Sequence, residues 1–152
     1  VDFVQELSST YRYVLSSQKR DWVQLSEELE MIRSFLFLLK KRHEKGLEVS
    51  IEVAPEMTKR WLPPLSVQML VENALKHNEA SDDRPLHIQL KAKGDVLIVE
   101  NNRNPRKVVN GEGIGLSNIR SRYRFLSDRE VVLHDEAKRF AVELPLMEMV
   151  ES

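Results

Sequence analysis

The sequence predicts an α+β domain: a two-layer α/β sandwich in which a mixed sheet carries helices on one face, preceded by N-terminal helices. Three observations carry this prediction. Segments of helical and strand periodicity follow one another in the order α-α-β-α-β-β-loop-α-β-β. Strands that are adjacent in sequence imply antiparallel or mixed pairing, with the helices gathered on one side. The order is not a strict β-α alternation, which disfavours a doubly wound dinucleotide fold. The 152 residues suit one domain with an appendage, and a chain of this size buries roughly 70% of its unfolded surface without cross-links.

The elements follow in order. Residues 2–17 are expected to be helical, because Val4, Leu7, Tyr11 and Val14 recur at steps of three and four and form a seam suited to a partner helix. Residues 24–45 form a stronger helix with the stripe Leu25, Leu29, Ile32, Leu36 and Leu39. Glu27, Glu28 and Glu30 near its start and Lys40, Lys41 and Arg42 near its end both suit the helix dipole. Gly46 is expected to cap it. Leu47–Val53 alternates and is rich in β-branched residues, so it reads as a strand. Trp61-Leu62-Pro63-Pro64 is a stiff extended lead-in to a helix from Ser66 to His77. Leu86–Ala92 and Val96–Asn101 are strands joined by a turn at Lys93-Gly94-Asp95. Asn102–Gly113 has little periodicity and reads as a loop, Ile114–Leu126 as a helix, and Glu130–Leu146 as a hairpin turning near Asp135–Ala137.

Composition removes several classes of function. There is no cysteine, which excludes disulfides and thiolate chemistry. The four histidines, His43, His77, His87 and His134, show no metal-binding spacing. The net charge of -1, with acids and bases interspersed, argues against a nucleic-acid partner. No apolar run is long enough to span a bilayer and no secretory signal is visible. The chain opens at Val1 inside a helical pattern, as a piece of a longer protein would.

Two stretches carry chemistry. In "SVQMLVENALKHNE" the residues Val67, Leu70, Val71, Ala74 and Leu75 share one side of a helix. Glu72, Asn73 and Lys76 share another, with Met69 beside them. One reading is a solvated face with a Glu72–Lys76 pair one turn apart. Asn in mid-helix fits it poorly, because its amide competes with the backbone. An amide oxygen beside a triphosphate suits magnesium, which takes few protein ligands and keeps phosphate and water oxygens. Lys76 would then meet phosphate, and Glu72 could orient or deprotonate an attacking group. The second stretch, "NGEGIGLSNIRSRY", places Gly111, Gly113 and Gly115 ahead of a helix. Glycines let a backbone approach phosphate, and a helix start presents free N–H groups. A flexible hinge is the alternative reading.

At these residues the chain resembles a known family. "LPPLSVQMLVENALKHN" resembles the asparagine box and "GEGIGLSNIRSRY" the glycine box of the GHKL (Bergerat) ATP-binding fold. The spelling "VENALKH" with "GIGLSNIRSRY" is similar to the LytS/YehU-like sensor histidine kinases. "FVQELSSTYRYVL" and "VQLSEELEMIRSFLFLLKKRH" resemble the tail of that family's internal kinase region. The resemblance implies a remnant of the dimerisation and kinase helices in residues 1–22 and an ATP-binding catalytic domain in 23–152. It implies that Asn73 coordinates magnesium, that Glu72 is the adjacent box acid, and that Lys76 and His77 lie near the phosphates. Gly111, Gly113, Ile114, Gly115 and Leu116 would line the phosphate lid, Asn118 would lie close behind, and Met69 would face the nucleotide edge.

Two departures stand out. Where the family has D-x-G-x-G, with its Asp accepting from the adenine amino group, this chain has "ENNRNPR". Asn101 takes the place of the Asp; its amide oxygen can accept the same bond without charge. Arg103 and Pro105 take the glycine positions. They obstruct the base, or Arg103, Arg106 and Lys107 give charge to phosphates, or the loop is simply solvated. The second departure is the absence of the family's Phe-rich phosphoacceptor segment; none of the four histidines fits it.

The resemblance thus implies the ATP-binding catalytic region of a sensor histidine kinase, which passes the γ-phosphoryl of ATP to a histidine on another segment for relay to a response regulator. ATP and magnesium are the implied cofactors. The implied setting is the cytoplasmic part of an inner-membrane protein, touching the membrane only through upstream segments and dimerising through the N-terminal helices. The alternative is a degenerate pocket serving as a non-catalytic docking or dimerisation scaffold. A further alternative, a GHKL ATPase or serine-directed kinase, is disfavoured by the two N-terminal helices.

Overall fold

The computed structural model describes residues 2–17, 19–43, 46–106 and 114–148. In chain order the elements are α1 (Asp2–Ser17), β1 (Val23–Gln24), α2 (Leu25–His43), β2 (Leu47–Glu52), a 3-10 turn (Pro55–Lys59), β3 (Trp61–Leu62), α3 (Ser66–His77), β4 (Leu86–Lys93), β5 (Val96–Asn102), α4 (Ile114–Leu126), β6 (Val132–Asp135) and β7 (Arg139–Pro145). The expected order therefore holds, with three short additions, the 3-10 turn and the strands β1 and β3. β1 and β3 pair antiparallel as a two-residue ribbon at the entrance to α2 and α3. Strands of two residues leave no periodicity to read.

The main sheet has the order β2-β4-β5-β7-β6. β2 runs parallel to β4 and the other pairs are antiparallel, so the sheet is mixed as expected. Register aligns Ile51, Leu90, Val99, Val142 and Leu133 in one row across all five strands. Successive strand side chains point to opposite faces, so this row lies on the face that joins the core, where Leu90 and Val142 are buried. The other face is polar: Lys91 reaches Glu100 at 2.7 Å and Arg139 pairs with the same carboxylate. Although burial opposes it, hydrogen bonds from Lys91 and Arg139 hold Glu100 below the ordinary carboxylate range.

The helices supply the second layer. Leu25, Leu29, Ile32 and Leu36 of α2 are buried as the stripe requires, and Leu39 packs at its edge. Ile119 and Tyr123 bring α4 into the same core, and the Tyr123 hydroxyl donates to the Pro145 carbonyl at 2.9 Å. α1 packs on α2 but leaves Val4, Leu7 and Tyr11 largely exposed, together with Phe3 and Leu15. Val14, the fourth residue of the expected seam, is half-buried.

Two local expectations are corrected. Gly46 is not a left-handed helix cap, since Gly94 at φ +62° is the described glycine with positive φ. A Cβ on Gly46 would meet the Ala80 and Ser81 backbone at 2.5 Å, so the glycine is required by close approach of two chain segments. Glu28 is not merely a charge at a helix start: it is fully buried. Its carboxylate accepts from the Leu65 N–H at 3.0 Å, the Val67 N–H at 3.4 Å and the Tyr13 hydroxyl. Leu65, in the left-handed region at φ 66°, turns the chain into α3. Burial pushes the Glu28 carboxyl above the usual range despite these three donors.

Candidate functional site

α3 buries Val67, Leu70, Val71, Ala74 and Leu75, the side expected from its spacing. Its C-terminal half borders a cavity of about 290 Å³ lined by Asn73, Ala74, His77 and Asn78 of this segment, Asn101, Arg103 and Pro105 after β5, Leu116 of α4, and Asp135 and Phe140 of the last hairpin. Four sequence-predicted site residues therefore share one wall system: Asn73, His77, Asn101 and Leu116. They come from three segments far apart along the chain.

The remaining predicted residues stand as follows. Glu72 and Lys76 are exposed and do not line the cavity. Among the described residues they form no ion pair with each other; Glu72 instead accepts from Gln68 Nε2 at 3.2 Å. Met69 is half-buried beside the start of α4, where a Cβ built on Gly115 would lie 4.0 Å from its own Cβ. Asn118 is exposed on α4. Gly111 and Gly113 lie outside the described residues, as does Lys107; Ile114 begins α4, and its side chain lies outside them too.

The asparagine-rich stretch after β5 has a structural explanation that periodicity could not supply. Asn102 accepts the His87 N–H at 2.7 Å and donates to the Pro85 carbonyl at 3.0 Å. Asn104 donates from Nδ2 to the same carbonyl at 2.7 Å, and its own N–H donates to Asn78 Oδ1 at 2.8 Å. Asn78 Nδ2 donates back to the Ala74 carbonyl at 2.9 Å. These short amides bridge backbone groups of three segments that no regular element would pair.

The basic residues of this stretch are also engaged. The Arg106 guanidinium donates twice to the Leu75 carbonyl, at 3.2 and 3.1 Å, a position where a cation suits the end of α3. Arg103 pairs with Asp135 and donates to the Glu136 carbonyl at 3.2 Å. Neither is a freely solvated side chain. Asn101 is buried, lines the cavity and donates from Nδ2 to the Asn102 carbonyl at 2.7 Å, so that bond leaves its amide oxygen uncommitted as an acceptor. Burial, reinforced by the charges of Lys76 and Arg103, lowers the His77 pKa and keeps the ring neutral near pH 7.

Asp135 and Phe140 line the cavity without having been singled out from the sequence. Both lie in the terminal hairpin, and nothing local in "HDEAKRFAV" distinguishes a cavity wall from an ordinary strand pair. Arg103 and Pro105 were visible as departures from the glycine pattern, and both line the cavity. Among the described residues, no group of three or more His, Cys, Asp or Glu could hold a metal ion. Asn73 makes no side-chain hydrogen bond among the described residues and faces the cavity, which fits an amide oxygen offered to a cation that takes its other ligands from phosphate and water.

Comparison with known proteins agrees with this architecture. A family model described as "Histidine kinase" matches residues 1–47. The chain is 30% identical over 126 residues to the sensor histidine kinase BtsS of Escherichia coli (strain K12), covering 80% of this chain and 22% of that protein. It is 28% identical over 141 residues to the sensor histidine kinase YesM of Bacillus subtilis (strain 168), covering 84% of this chain and 24% of the relative. It is 27% identical over 150 residues to the sensor protein LytS of Bacillus anthracis, covering 88% and 26%. The chain thus spans about a quarter or less of the curated relatives named here. In fold it matches the catalytic domain of histidine kinase ThkA with a TM-score of 0.56 at 14% identity, covering 83% of this chain and 98% of that one. The cytoplasmic segment of histidine kinase QseC matches with a TM-score of 0.58 at 16% identity, covering 84% and 78%.

Proposed function

We propose that this chain, a relative of the LytS-like sensor histidine kinases with the fold of a histidine-kinase catalytic domain, binds ATP with magnesium in the α3–α4 cavity and serves phosphoryl transfer to a histidine on another segment. The observation that carries the proposal is the convergence of Asn73, Asn101 and Leu116, from three separate motifs, on one concavity. Neutral Asn101 and the Phe140 ring suit a nucleobase, and half-buried Asn73 suits a metal-bridged phosphate. Magnesium, when bound, would neutralise charge on the phosphates as the γ-phosphoryl leaves ADP.

In the transfer, an imidazole nitrogen of the acceptor forms the P–N bond as the bond to the ADP oxygen breaks. The protein's contribution would be positioning and electrostatics. Exposed Lys76 and Glu72 stand on the face of α3 beside the cavity, where an ammonium can approach phosphate and a carboxylate can orient the acceptor. Three of the four histidines have described side chains: His77 lines the cavity, His87 lies 3.0 Å from Glu48, and His134 pairs with Glu143; the fourth, His43, is the last residue of α2. Those placements support an acceptor outside the described residues. The phosphoryl would then pass to a response regulator.

The exposed seam on α1 supports pairing with a second copy, and residues 1–22 would belong to that dimerising region, ahead of a catalytic domain in 23–152. No described helix is long and apolar enough to cross a membrane. We place the domain on the cytoplasmic side of a membrane-anchored parent, where ATP is available. The Arg103–Asp135 pair at the cavity favours a second reading, a nucleotide-poor docking scaffold. Calorimetric titration with ATP and magnesium separates the two. Saturable binding that is lost in Asn73→Ala, with the fold unchanged by circular dichroism, supports the kinase reading; no binding by the wild type supports the scaffold.

A further inference from the structure

The main cavity has an uneven charge inventory. Its hairpin end holds the Asp135 carboxylate, and the Arg103 beside it is already paired with that acid. Arg106 is engaged with the Leu75 carbonyl. The ring of His77 is neutral near pH 7. The guanidinium among the described lining residues is thus already engaged by an acid. Leu116, another wall of this cavity, is also a wall of a second groove of about 320 Å³. The other residues of that groove are Ser117, Arg120, Ser121 and Arg124. They are spaced one turn apart along α4 and share one face.

α4 carries three arginines and no acidic residue. Arg122 turns away from this groove to donate to the Pro64 carbonyl at 3.0 Å. Arg124 has an exposed partner, Glu130, at 3.6 Å, a contact that contributes little in water. Arg120 is half-buried and has no ion-pair partner among the described residues. Two hydroxyls and two guanidiniums in line are a donor set for phosphate oxygens, since guanidinium matches them in fork geometry.

We propose that the Ser117–Arg120–Ser121–Arg124 groove is a second anion subsite that receives the terminal phosphate end of a nucleotide whose base lies in the main cavity. The inference rests on the nucleotide reading above and adds to it the direction in which the ligand lies: base toward Asn101 and Phe140, phosphates past Leu116 and along α4. Arg120 is the principal contact and Arg124 the outer one. A solvated cationic helix face would not share the Leu116 wall with the main cavity.

The test compares ligands that differ only in phosphate. ATP, AMP and adenosine are titrated calorimetrically into the wild type, Arg120→Ala/Arg124→Ala and Arg120→Lys. Each lost charge-assisted contact should weaken ATP about tenfold. Adenosine affinity should be unchanged, and Arg120→Lys should recover part of the loss. The salt dependence of ATP binding should also become shallower in the double variant. Equal effects on ATP and adenosine, or no effect on ATP, would overturn the subsite. Should the wild type bind no nucleoside at all, inorganic tripolyphosphate becomes the probe: binding that is lost in the double variant upholds an anion site without the nucleotide reading, and no binding overturns both.

Discussion

The two ends of α3 are held by opposite chemistries. At the N-terminal end, a buried carboxylate reaches in from another helix and accepts two backbone N–H groups and a tyrosine hydroxyl. At the C-terminal end, beside the cavity, neutral amides do most of the work, with one guanidinium on the Leu75 carbonyl. Both arrangements satisfy helix-end groups and both suit the helix dipole. They differ in where charge is hidden. The end away from the cavity buries its charge in the core, whereas the cavity end is fastened without burying a carboxylate. Clamped at both ends, α3 presents Asn73 from a fixed turn, which is the pre-organisation a binding site requires.

The largest expected effect comes from breaking the charged end. Glu28→Ala leaves the Leu65 and Val67 N–H groups and the Tyr13 hydroxyl without that acceptor, and should lower the unfolding free energy by about 3 kcal/mol. Urea denaturation measures it; a loss below about 1 kcal/mol would mean that water replaces the carboxylate and that the two ends are alike. The pH dependence adds a sign. A carboxyl whose folded pKa is raised stabilises the fold below its unfolded pKa and loses that contribution as pH rises through the folded value. Relative to Glu28→Gln, the wild type should therefore lose stability as pH rises from about 4 toward 7. The opposite trend would show that the three donors outweigh burial.

The neutral end should break more gently. Asn104→Ala removes the bond to the Pro85 carbonyl at 2.7 Å and the weaker one to the Arg84 carbonyl at 3.2 Å. A loss of about 1–2 kcal/mol is expected. Because Asn104 lies between the cavity-lining Arg103 and Pro105, ATP affinity should fall with it, while hydrogen exchange should quicken at the Glu79 amide, which donates to the Asn104 carbonyl at 2.7 Å. Unchanged exchange at Glu79 would show that the amide bridges are incidental to the wall.

The same comparison shows what a sequence can reveal. The apolar spacing of α3, the alternation of β4 and β5 and the helical period of Ile114–Leu126 are local patterns, and the structure repeats them. Asn73 was legible because an amide in mid-helix sits badly with a purely structural role. Glu28 was not, because an acid near a helix start reads as a dipole partner whether it faces water or the core. Its burial is decided by Tyr13 and Leu65, the latter 37 residues away. The asparagines after β5 were visible as a departure, but their function lies in bonds to Pro85, Arg84 and Asn78 that only the fold brings near. Asp135 and Phe140 belong to the cavity for the same non-local reason.

The smallest expected effect on stability lies between the two clamps, where Met69 of α3 meets the start of α4. A Cβ on Gly115 would find its nearest neighbour outside the local helix backbone, the Met69 Cβ, at 4.0 Å, an ordinary van der Waals separation. The protein's own packing therefore does not demand glycine here. Gly115→Ala should shift the unfolding free energy by no more than about 0.5 kcal/mol, with helix propensity favouring alanine. If a phosphate approaches the α4 backbone at this position, the added methyl group still obstructs it, so ATP should bind more weakly to a protein of undiminished stability. Equal ATP affinity in the variant would instead assign Gly115 to chain entry into α4, and the approach of ligand to that helix would have to occur further along it.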